Sequence, residues 1–224
     1  MEAPPIDTAA EQRIIAAITA DLAAVRPVAA SWRYVLALLA AAIFAAALGI
    51  GLLGAAGWRA DTLVQRAWFT ASLAAGMTAA AVLLSRLMIP GALLPLSTRA
   101  AAVLAVSFVA AGALLYPAAY YHHFERAAAA CLGIGLAQAA AAGALALWVL
   151  RRGAFLSRPD AAAALALLGG LTGVLVLFVF CPHRDLGHFT LGHSPVPIAA
   201  MALGAWIARR FHWTGRPQRK KARP

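Results

Sequence analysis

A chain of 224 residues that is 63% hydrophobic and 12% charged, with a mean hydropathy of +0.79, is excluded from the ordinary soluble domains and reads as an integral membrane protein. The net charge of +11 would point to nucleic acid in a soluble protein. Here seven of the 19 basic residues lie at or beyond Arg209, where they act as a topology anchor beside anionic lipid, so no direct nucleic-acid binding is expected. Two cysteines exclude a disulfide framework and leave a single disulfide or a thiol pair.

In chain order, residues 1–33 precede the first apolar run and carry Glu2, Asp7, Glu11 and Asp21. This long acidic leader differs from a cleavable signal peptide, whose charged region is short and basic, so it is expected in the mature protein. Thr8 and Glu11 have capping-box spacing, which predicts a helix starting near Thr8. Ile15, Ile18, Leu22 and Val25 recur at intervals of three and four along one face, with Ile14 widening it, and Pro27 stops the helix. Such a helix is marginal alone in water and needs a surface for its apolar face: this protein, the bilayer or a partner.

Six apolar segments follow, at about 34–57, 67–88, 100–121, 127–150, 161–180 and 186–208, each long enough to cross a hydrocarbon core of about 30 Å. The expected fold is therefore all-α: a polytopic six-helix transmembrane bundle over 34–208, an N-terminal amphipathic helix within 1–33, and a basic tail at 209–224. Fifteen of the basic residues fall on the leader's side of the spans and four on the other, so the positive-inside rule makes both termini cytoplasmic. The last span needs residues before Ser194 to reach across the core. It should begin near Leu186, with His188 and His193 in its outer turns and a kink near Pro195 and Pro197.

Two glycine patterns carry no nucleotide chemistry. Gly49, Gly51 and Gly54 fit a dinucleotide-binding spacing but lie inside the first span without a preceding strand, so they read as helix-packing positions, as do Gly169, Gly170 and Gly173. No acidic or basic residue falls mid-span, which disfavours an ion pathway. Gln138 and Thr172 are the most polar mid-span groups, and one helix-to-helix hydrogen bond would account for them.

Chemistry concentrates in CPHRDLGHFTLGH, residues 181–193, which holds one of the two cysteines and three of the six histidines. Cys131 lies 19 residues above Leu150 and Cys181 lies 20 above Ala161, so the two should stand at nearly the same height. The rotation of each helix is not given by this argument. Three readings stay open: a redox-active thiol pair, a transient soft-metal site of Cys131, Cys181, His183, His188 and His193, or a packing cysteine with interfacial histidines.

The chain resembles the NrsF-type integral-membrane anti-sigma factors, six-span negative regulators of transcription. The resemblance is carried by ADLAAVRPV at 20–28, Cys131 at the start of the fourth span, the RRG turn at 151–153, and Cys181-Pro182 followed by His188 and His193. The family commonly has an aromatic residue before the last histidine, where this chain has Gly192. The resemblance implies a bacterial inner-membrane protein, not an enzyme. Its leader would capture an extracytoplasmic-function sigma factor through Ile15, Ile18, Asp21, Leu22 and Val25, and Cys131 and Cys181 would be periplasm-facing sensor thiols for heavy-metal or oxidative stress. The alternative is a small metal or solute permease with a Cys/His outer entry site.

Overall fold

The computed structural model describes residues 9, 12, 13, 16, 30–88, 97–118, 124–151, 158–183 and 185–210. All secondary structure among them is helical: α1 (Ser31–Leu53), α2 (Ala56–Ala60), α3 (Leu63–Leu87), α4 (Thr98–Ala113), α5 (Phe124–Leu150), α6 (Arg158–Phe180), α7 (Leu186–His188), a π-helical turn (Phe189–His193) and α8 (Pro195–Arg210). Five stretches are long and apolar enough to cross a membrane, the last running continuously over Leu186–Arg210.

Local chemistry sets the helix ends. Gly54 stops α1 with a φ of 94° while its N–H reaches back to the Ile50 carbonyl at 2.7 Å. The α3 helix starts at Leu63, earlier than hydropathy alone predicts, because Thr62 and Gln65 form a reciprocal capping box. Ser97 caps α4 by accepting from the Ala100 N–H at 3.2 Å.

The third expected span, 100–121, differs most. Its helix ends at Ala113 and gives way to tight turns, with the N–H groups of Leu114, Leu115 and Tyr116 each bonded to a carbonyl three residues back. Sixteen residues reach only about 24 Å. The early stop has a packing cause: Tyr116 turns into the core, the Leu115 carbonyl accepts from Gln65 Nε2, and the Pro117 carbonyl accepts from the Leu186 N–H at 3.0 Å.

The α6 helix is the axis of the bundle. It packs against α1, α3, α5 and α8, and 67% of its apolar window is buried, against 28–44% for the other four long stretches. Leu167, Leu168, Leu171, Val174 and Leu177 are wholly enclosed, whereas Ile43, Phe44, Leu104, Leu147, Ile198 and Leu203 face outward, as expected of a bundle in lipid.

Between helices in lipid, close approach replaces the hydrophobic effect as the packing force. A Cβ at Gly169 would fall 2.5 Å from the Ala139 carbonyl oxygen, and one at Gly170 would fall 2.6 Å from the Pro197 Cα. These glycines seat α5 and α8 on α6. The first glycine pattern divides: Gly49 packs against Gln138, but Gly51 and Gly54 have nothing within 4 Å of an added Cβ. Gln138 donates to the Ala45 carbonyl at 2.6 Å, joining α5 to α1, while Thr172 bonds back to Leu168 in its own helix.

The two ends of the bundle differ. One carries Trp32, Trp148 and Trp206, all more than half exposed, each beneath an arginine: Arg33, Arg151 and Arg210 at 5.5, 4.7 and 6.0 Å from the rings. The other holds the turns at 54–62 and 114–118 and the segment 181–193.

Of the leader, Ala9, Gln12, Arg13 and Ala16 are described. All four are helical and exposed, and Arg13 Nε donates to the Ala9 carbonyl at 3.1 Å. Ile15, Ile18, Asp21, Leu22 and Val25 lie outside the described residues, as do His122, His123 and the tail beyond Arg210.

Candidate functional site

The site is built where α5, the end of α6 and the start of the last span meet. Cys131 lies in the second turn of α5, and Cys181 follows the last residue of α6, its N–H closing onto the Leu177 carbonyl at 2.8 Å. The expected equality of height holds, and the rotations match: the two sulfurs are 3.4 Å apart, buried, with both thiols free.

The chain then reverses. Asp185, fully buried, accepts from the His188 N–H at 2.7 Å and so caps α7. This cap starts the helix at Leu186, as the span-length argument requires, and turns His188 inward. His188 Nε2 lies 3.2 Å from Cys181 Sγ.

His193 arrives by a different device. In an α-helix, residues five apart are rotated by about 140° from one another, so His188 and His193 would face different neighbours. Between Phe189 and His193 the backbone instead forms a π turn, with the Ser194 N–H bonded to the Phe189 carbonyl five residues back at 3.0 Å. A five-residue closure stacks His193 over His188, and their rings lie 5.3 Å apart, edge to face. Pro195 and Pro197 favour the irregularity, since neither supplies an N–H to the carbonyl four residues earlier. Gly192 permits it: an added Cβ would fall 3.1 Å from the Ala128 Cα and 3.4 Å from Cys131 Cβ.

The result is a cluster of Cys131, Cys181, His188 and His193, each 5% exposed or less, whose ligand atoms all lie within 4.8 Å of one another. His183 stands apart. It is exposed, and its ring lies against that of His188 at 4.9 Å without joining the four.

An aromatic wall encloses the site on the side of α3. Phe69 touches Phe178, Phe189 and Tyr116 at centroid distances of 4.7, 4.9 and 5.8 Å, and Phe189 packs on His193 at 4.9 Å. Tyr116 donates to Asp61 at 3.2 Å. Phe69, Phe178 and Phe189 carry no distinguishing signal in the sequence, because apolar aromatics inside apolar spans look alike. Asp185 was legible in principle: an Asp three residues before His188 at a helix start has cap spacing.

The Cys131 thiol donates to Cys181, just beyond the end of α6, and draws its pKa below the ordinary thiol range; burial opposes this, while His188 and His193 reinforce it. Two free thiols in contact and two imidazoles equip the site for metal capture or thiol oxidation.

Fold and site together define a membrane-type helical bundle with a buried thiol and imidazole cluster at one end. Compared with known proteins, the chain matches no family model, no curated protein and no solved structure.

Proposed function

We propose that this chain is a membrane-bound anti-sigma factor of the bacterial inner membrane, which holds an extracytoplasmic-function sigma factor by its leader and releases it when the Cys131 and Cys181 thiols are modified by metal or oxidant. The observation that carries this reading is the contact of two free thiols at 3.4 Å, contributed by different helices and sealed inside the bundle. Any chemistry there acts on the packing of α5 against α6, the axis of the fold.

The arginine-capped tryptophans at the opposite end support an orientation with that end, and both termini, in the cytoplasm. A sixth crossing by α4 belongs to the proposal; at about 24 Å it requires local thinning of the bilayer. In the leader, the exposed Ala9, Gln12, Arg13 and Ala16 form one stripe at helical spacing. Sequence periodicity alone puts Ile15, Ile18, Leu22 and Val25 on one face, the face that the proposal, with Asp21, gives to the sigma factor.

A permease is the weaker reading, because a solute entering at residues no more than 5% exposed must first open the bundle. Purification from membranes, with and without residues 1–30, tests the assignment. Recovery of a sigma factor only with the intact leader is the expected result; recovery of none, together with uptake or efflux of metal by vesicles, would establish the permease. Ile18→Asp with Leu22→Asp should give constitutive transcription, and unchanged repression would remove the docking face.

A further inference from the structure

We infer that Cys131, Cys181, His188 and His193 form a closed four-coordinate site for one divalent, thiophilic d10 cation of the zinc and cadmium type. The inference rests on the regulatory reading for its role as an input, while the binding itself is a property of this chain alone.

Distances come first. Bonds of about 2.3 Å to sulfur and about 2.0–2.1 Å to imidazole nitrogen, arranged tetrahedrally, set ligand-to-ligand separations of about 3.8 Å for two sulfurs, 3.5 Å for sulfur and nitrogen and 3.3 Å for two nitrogens. The thiols stand at 3.4 Å, Cys181 and His188 at 3.2 Å, and all four atoms lie within 4.8 Å. The widest separation therefore exceeds the tetrahedral set by no more than about 1.5 Å.

Charge selects the class of ion. Binding a divalent cation to two thiols and two neutral imidazoles displaces two protons and leaves a site of zero net charge. A neutral complex suits residues that are 0–5% exposed, whereas a monovalent ion would leave a buried negative charge. Two sulfurs exclude magnesium and calcium as natural occupants.

The backbone supplies independent support. The π turn departs from the regular helix and has the effect of stacking His193 on His188. A ligating histidine ordinarily gives its second ring nitrogen to a carboxylate or carbonyl. His188 Nδ1 and Asp185 Oδ2 are both buried and without a hydrogen-bond partner among the described residues, three residues apart on one capped turn. No hydrogen bond joins the two in the metal-free chain; on the proposal, seating Nε2 on the metal turns the Nδ1–H toward the Asp185 carboxylate, which makes Asp185 a positioning residue.

The experiment uses the full-length protein in detergent, stripped with chelator and titrated with zinc chloride. Expected are one zinc per chain, two protons released per ion, and loss of thiol reactivity at both cysteines. Cobalt(II) as probe should give the intense visible bands of tetrahedral sulfur and nitrogen ligation. His188→Gln and His193→Gln should each weaken zinc at least tenfold, Asp185→Asn about tenfold while keeping its cap, and His183→Gln not at all. Absence of stoichiometric zinc binding would overturn the inference, as would unchanged affinity in both histidine variants, which would mean a two-coordinate thiolate site. Should a variant lose its fold, the cobalt spectrum of the unmodified protein decides, weak octahedral bands contradicting the proposal. Sigma-factor capture is scored separately: capture without zinc binding sinks only this site, and zinc binding without capture sinks only the regulatory reading.

Discussion

The two ends of the bundle are built on different principles. At the Cys/His end, polar groups are turned inward: Asp61, Asp185, His188 and His193 are buried, and a wall of Phe69, Phe178, Phe189 and Tyr116 closes around them. At the other end, polar groups are turned outward, with arginines over half-exposed tryptophans. A membrane helix end needs only the second arrangement to anchor itself. Buried ionisable groups cost free energy unless partnered, so the first arrangement marks where this fold departs from simple anchoring.

Substitutions can break or sharpen this contrast. Phe69→Ala removes the centre of the aromatic wall and should destabilise the bundle by about 3–5 kcal/mol, read as a lowered unfolding midpoint in detergent. A neutral result would mean that the wall does not hold the Cys/His end together. Gly170→Leu drives a side chain into Pro197 and should cost about 1–3 kcal/mol, with thiol accessibility at Cys181 rising as α8 lifts from α6. Gln138→Leu removes the single bond to Ala45, a loss of about 0.6 kcal/mol and at most about 1.7 kcal/mol. Trp148→Ala at the opposite end should change stability by no more than about 1 kcal/mol and leave thiol reactivity unaltered. Equal effects of Phe69→Ala and Trp148→Ala would erase the distinction between the ends.

How much of this was legible follows from what hydropathy measures. Transfer free energy per residue locates segments along the membrane normal, which is why the start of the last span at Leu186 and the common height of Cys131 and Cys181 could be read from spacing. It says nothing of rotation about a helix axis. Two features needed tertiary contacts: the stop of α4 at Ala113, set by Tyr116 and Pro117, and the π turn, set by Gly192 against Ala128 and by the following prolines. Cap chemistry was readable and more decisive than hydropathy, since Thr62 and Gln65 start α3 four residues before the apolar run does. His183 shares its neighbours' composition, yet stays outside because it precedes the Asp185 cap that turns the chain inward.

On the proposed function, the state of the Cys131 and Cys181 pair controls the hold of the leader on a sigma factor across the membrane. Its most direct test is recovery of that sigma factor from membranes of cells with or without added zinc or cadmium, comparing the unmodified chain with Cys131→Ser/Cys181→Ser. Expected are capture by both chains without metal, release from the unmodified chain with metal, and none from the double variant. Equal release from both would contradict it.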